Sequence, residues 1–192
     1  KKHFSKAKRY YSRAISLDSN LLSVYQKLIF IYLAENDIEK ADECHKKLLE
    51  VTNWRTDLMH NYILFRTSFY NQDSSNKELI ELCQKGIQRD SNNYALINTL
   101  GFIQLKLNEN QSAKKSFKKA LEINESYTHS LNNLGICYLR EKDLKKAIEY
   151  FKLALASDPS YLMGYENLAQ CYLMTKDFKN ALYVYNASHL TI

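Results

Sequence analysis

The chain repeats itself every 34 residues, and that period constrains its fold more than any other feature. Gly101, Phe102, Ile103, Gln104 and Leu105 align with Gly135, Ile136, Cys137, Tyr138 and Leu139 one period later. Ala113, Ala147 and Ala181 keep the same step, as do the aromatics Phe117, Phe151 and Tyr185. Ala7 and Ala41 are also 34 apart, but Ala41 and Ala113 are separated by 72, two periods plus four. One repeat therefore contains a four-residue insertion. A unit of this length cannot bury both of its faces alone, so neighbouring units must stack to make a core.

The residue types point to helices. Pro occurs once and Gly four times in 192 residues, against roughly ten of each in an average chain of this length. Turn-rich β architectures and flexible linkers are both disfavoured. Ala147, Phe151, Ala154 and Leu155 follow the i, i+4, i+7, i+8 spacing of one helix face, and the intervening turn from Arg140 to Asp143 is wholly charged. Two helices fit into each period, closing where small residues let backbones approach: Gly101, Gly135 and Ala169 in the first helix, Ala113, Ala147 and Ala181 in the second.

This pattern resembles the tetratricopeptide repeat family, whose consensus runs W-x2-L-G-x2-Y, A-x3-F, then a small residue and Pro. Residues 128–161 carry Leu131, Leu134, Gly135, Tyr138, Ala147, Phe151, Ala154 and Pro159, with only the Trp replaced. Residues 94–127 supply Ile97, Leu100, Gly101, Ala113, Phe117 and Ala120. Residues 162–192 form a terminal repeat with Tyr165, Leu168, Ala169, Tyr172, Ala181 and Tyr185. Residues 22–55 stay in phase through Tyr25, Leu28, Tyr32, Ala41 and Leu48. Residues 1–21 read as the second helix of a truncated repeat, and 56–93 as the irregular repeat, with part of the insertion expected in the polar stretch 71–76. The resemblance implies an all-α, right-handed superhelical array (an α-solenoid) of antiparallel helix pairs over 1–192.

It also implies a protein-interaction scaffold, with an extended peptide or partner protein held in a concave groove lined by set positions of each first helix. Carried onto this sequence, those positions give Asn98, Phe102, Lys106, Asn132, Asn133, Ile136, Arg140, Asn167 and Gln170. An Asn side chain both donates and accepts, so a ladder of them can hold an extended backbone without demanding particular side chains. The family's clamp for a terminal carboxylate places Lys and Arg where this chain has Ala95, His129, Asn132, Asn133 and Met163, so no such clamp is expected. Two other readings remain open: a substrate-recruiting arm of a larger enzyme such as a glycosyltransferase, and binding of nucleic acid or an anionic surface through the basic first helix.

No catalytic constellation accompanies the repeats. Cys44, Cys83, Cys137 and Cys171 show neither paired nor zinc-ligand spacing, which suits free buried thiols in a reducing, cytoplasmic compartment. His45 falls where other repeats place Tyr11, Phe117, Phe151 and Tyr185, so it reads as a packing residue. There is no Gly-rich phosphate loop, HExxH or nucleophile elbow. We therefore expect no enzyme activity, cofactor, metal or small-molecule substrate. Of the net charge of +6, residues 1–21 contribute +5: Lys1, Lys2, Lys6, Lys8, Arg9 and Arg13 against Asp18. A strip confined to one helix makes nucleic acid an unlikely partner. No run is apolar enough to span a membrane. The apolar tail Tyr183 to Ile192 and the lone first helix leave both edges uncapped, so self-association or continuation of the array is expected.

Overall fold

In the computed structural model, residues 2–70 and 73–189 are described, with side chains over 4–70 and 76–188. Every regular element among them is an α-helix: α1 Lys2–Leu17, α2 Leu22–Ala34, α3 Ile38–Val51, α4 Thr56–Phe69, α5 Asp73–Arg89, α6 Tyr94–Lys106, α7 Asn110–Ile123, α8 Thr128–Arg140, α9 Leu144–Ser157, α10 Leu162–Met174 and α11 Phe178–His189. The chain forms two compact units, Lys1–Asp90 and Ser91–Ile192.

In the second unit, α6 pairs with α7, α8 with α9 and α10 with α11. First helices have 13 residues, and α7 and α9 have 14. A three-residue turn joins each pair, and its central residue takes the left-handed conformation: Asn108 and Lys142 at φ 62° and Lys176 at 59°. Asp143 then caps α9 by accepting from the Lys146 backbone N–H at 3.2 Å, and Asp177 accepts from that of Asn180 at 3.2 Å. Between pairs, the Asn124 and Asp158 side chains accept from the backbone N–H groups of Ser126 (3.3 Å) and Ser160 (2.9 Å), closing Asx turns.

Close approach takes a particular form. A Cβ on Gly101 would lie 2.6 Å from the Phe117 ring, and one on Gly135 2.4 Å from that of Phe151. The expected small-against-small contact is therefore a glycine against the edge of a fully buried ring, with Ala113 and Ala147 also at 0% exposure beside it. Polar clamps join successive pairs. Glu141 gathers the Asn110 amide (2.8 Å), the Gln111 amide (2.9 Å) and the Lys114 ammonium (2.7 Å) from α7. That last hydrogen bond is the main cause of the lowered Glu141 pKa.

The far edge of this unit is apolar. Tyr185 is 59% exposed although its equivalents Phe117 and Phe151 are fully buried, and Phe178 and Leu182 are exposed beside it. Each of those equivalents is covered by the next first helix in the array.

In the first unit, α2 pairs with α3, α4 with α5, and α1 lies against α2. Asn36 repeats the left-handed turn residue at φ 59°, and Asp37 caps α3. The insertion enlarges helices: α4 has 14 residues and α5 has 17, one and three more than their counterparts α6 and α7. Of the stretch 71–76, where part of it was expected, residues 73–76 begin α5 and 71–72 lie outside the described residues. The turn between α3 and α4 also departs from the pattern. Asn53 and Trp54 are both left-handed, at φ 50° and 57°, a conformation that is an outlier for a residue as bulky as Trp.

Candidate functional site

The groove residues fall on α6, α8 and α10, within one compact unit, but they divide into two groups. Asn98 and Asn132 are buried at 7% and 1% exposure. The Asn98 carbonyl oxygen accepts from the Ser130 hydroxyl at 3.0 Å and the Asn133 amide at 3.1 Å. Asn132 accepts from the Asn167 amide at 2.8 Å. The expected ladder is thus turned partly inward. Asn98 and Asn132 join successive first helices, and burial removes them from the surface offered to a partner.

Arg140 has a similar task. Its guanidinium donates to the Leu105 carbonyl at 2.7 Å, placing a cation on the C-terminal end of α6, where the helix dipole favours positive charge. Half-buried or exposed side chains remain at Phe102, Lys106, Asn133, Ile136, Arg140, Asn167 and Gln170. Lys106 lies over the Phe102 ring at 5.4 Å. Phe102, Ile136 and Gln170 hold the same position in three successive first helices, so an apolar rung is repeated and then becomes polar.

A row of rings missed in the sequence borders this unit. Tyr94 meets Tyr127 edge-on at 4.9 Å, Tyr127 stacks on His129 at 5.3 Å, and His129 lies 5.5 Å from Tyr161. Burial raises the phenol pKa values of Tyr127 and Tyr161. The 34-residue step from Tyr127 to Tyr161 was the available signal, and Tyr94 breaks it by one position.

The reactive residues are placed for packing. Burial pushes the thiols of Cys83 and Cys137 up to about 12 and that of Cys171 to about 11, far from a nucleophilic thiolate. His45 stands 4.7 Å from the Phe65 ring and 5.7 Å from that of Tyr62. Among the described residues, no group of three or more His, Cys, Asp or Glu is placed to hold a metal ion. No helix among them is long and apolar enough to cross a membrane. On α1, Lys8 is paired with Glu35 and lies over the Tyr32 ring, while Lys6, Arg9 and Arg13 project as an exposed basic strip. The side chains of Lys1 and Lys2 lie outside the described residues.

Residues 93–160 match the family model of the tetratricopeptide repeat, over the two pairs whose turns and glycine contacts are most regular. Those residues carry tetratricopeptide repeats, and the chain has the tetratricopeptide fold. Comparison with curated proteins finds no match. Solved tetratricopeptide folds are similar over most of the chain. Pseudomonas aeruginosa PilF matches at 19% identity and TM-score 0.72, covering 89% of this chain and 76% of its own. MamA from Desulfovibrio magneticus matches at 15% and 0.66, covering 88% and 94%. YrrB, a tetratricopeptide-repeat protein with an unusual peptide-binding site, matches at 20% and 0.58, covering 94% and 91%. At such identities the likeness shows the fold.

Proposed function

We propose that residues 91–192 form a protein-interaction scaffold, holding an extended segment of another protein across α6, α8 and α10. The observation that carries this reading is the repeated rung of Phe102, Ile136 and Gln170, flanked by Asn133 and Asn167. Each of those asparagines commits an amide N–H to the first helix of the preceding pair. Its oxygen can then accept from a backbone N–H of the ligand, while Phe102 and Ile136 supply contact area. Lys106 at the edge favours an acidic residue in the bound segment. The peptide-binding site of the similarly folded YrrB is in keeping with this use of the architecture.

The test is selection of peptides from a random library on the intact chain, followed by affinity measurement on a Phe102→Glu, Ile136→Glu double variant. Binding should weaken by roughly tenfold or more, with helical content and melting temperature close to the parent. Selected peptides that bind the folded double variant as well as the parent would sink the proposal.

A further inference from the structure

The irregular repeat opens a cleft that the regular pattern gives no reason to expect. A cavity of about 400 Å³ is lined by Trp54, Met59, Leu82, Lys85, Gln88 and Arg89. A second, of about 330 Å³, shares Trp54, Leu82 and Lys85 with the first. Volumes of this order suit a small organic ligand. Both lie inside the first unit: the larger is lined by the α3–α4 turn, α4 and α5, and the smaller also by α3.

Its chemistry is dipolar. The larger cavity has an apolar floor in Trp54, Met59 and Leu82, cations in Lys85 and Arg89, and no acidic residue in its lining. The smaller cavity adds Glu50, Glu78 and Glu81. Its own cations are already engaged: Lys46 with Asp42 at 2.7 Å, and Arg66 with Asp42 at 3.6 Å and Glu78 at 3.8 Å. Among the described residues, no ion pair occupies Lys85, Glu50 or Glu81. Lys85 lines both cavities, Arg89 only the larger and Glu50, Glu78 and Glu81 only the smaller, so the charge along the apolar cleft grades from cationic to anionic.

The shared wall is held in a costly conformation. Trp54 and Asn53 are both left-handed, and the Arg89 guanidinium fastens the turn by donating to their carbonyls at 3.1 and 2.6 Å. Backbone strain of this kind persists only where its surroundings enforce it, and it concentrates at ligand sites.

We propose that the Trp54 cleft binds a small apolar zwitterion, a hydrophobic amino acid or dipeptide. Its side chain lies against Trp54, Met59 and Leu82, its carboxylate faces Lys85 and Arg89, and its ammonium faces Glu50 and Glu81. The site is separate from the face of α6, α8 and α10, so either can fail without the other.

Trp54 is the sole tryptophan, and its fluorescence reports on the cleft directly. Leucyl-leucine titrated into the intact chain should give a saturable emission shift. The C-terminal amide and the N-acetylated form should each bind roughly tenfold more weakly, the loss of one favourable charge contact. Lys85→Glu, an exposed change, should weaken leucyl-leucine by a similar factor, and Leu82→Trp should abolish binding by filling the cleft. Since the second variant adds a tryptophan, its binding is read by calorimetry. The proposal is overturned by an absent saturable shift, by equal binding of the blocked and free dipeptides, or by undiminished binding to Lys85→Glu.

Discussion

Two stretches of this chain spend their helix-contact volume in opposite ways. In residues 94–161 the first helix gives up its side chain at Gly101 and Gly135, and the second fills the space with Phe117 and Phe151. Going back by one period and by one period lengthened by the four-residue insertion, the corresponding first-helix positions hold Ile63 and Ile29, and the corresponding second-helix positions hold Cys83 and His45. Ile63 and Cys83 are both fully buried. The bulk has moved from the second helix to the first. With Gly the helix backbones close directly, whereas a β-branched side chain holds them apart. The regular pairs carry glycine contacts, and the irregular repeat carries the Trp54 cleft. Large and small residues are thus exchanged between the two helices from one stretch to the other.

The largest effect should come from removing the bulk where it is concentrated. Phe151→Ala empties a fully buried site and should cost about 3–5 kcal/mol in denaturant unfolding. A smaller loss would mean that α8 and α9 can collapse onto the space, and the contrast with the irregular repeat would weaken. Gly135→Ala drives a methyl to 2.4 Å from the Phe151 ring and should cost about 1–3 kcal/mol. The sharper experiment imports the other solution: Gly135→Ile with Phe151→Cys should be less destabilising than the sum of the two singles, by roughly 1 kcal/mol or more. Additive singles would show that the two positions do not share one volume.

The turns offer a gentler comparison. Lys142 has φ 62° in a turn where Asn36 and Asn108 take the same conformation. Lys142→Gly should stabilise the chain by roughly 1 kcal/mol by relieving the left-handed cost. Trp54→Gly should bring no such gain, because the ring also lines the cleft. Thermal melts of the two variants test the difference, and equal gains would show that Trp54 contributes nothing by packing.

What could be read in advance follows from these same residues. The period, the helix pairing and the buried alanines were legible because repetition marks positions that only packing can explain. The groove was legible as positions but not as roles. Asn98 of α6 and Asn133 of α8 are both asparagines at groove positions, yet a hydrogen bond between residues 35 apart in sequence makes the first an internal acceptor. Arg140 looked like a ligand contact, and its partner is a backbone carbonyl that no residue name reveals. The Trp54 cleft was illegible for a related reason: it arises where helices are longer than the pattern, and a repeat reading describes the pattern.

The smallest predicted effect separates the two stretches by pH. His45 stands where Phe117 and Phe151 stand in the regular repeats, against the rings of Phe65 and Tyr62. Burial lowers its pKa, and the nearby Asp42 carboxylate opposes that shift without cancelling it. The folded state therefore binds the proton less readily than the unfolded state does, whose imidazole titrates near about 6.5. Above that pH both states hold neutral imidazole and His45 contributes no pH dependence. As pH falls through it, the unfolded state gains protons first, so stability declines. His45→Phe should flatten this part of the profile, bringing the first unit to the regular arrangement of an aromatic hydrocarbon at that position. Melting temperatures of parent and variant between pH 7.5 and 5 measure the effect as a difference of slopes. Parallel slopes would mean that the imidazole keeps its solvent while packed on Phe65, and that His and Phe are interchangeable at this contact.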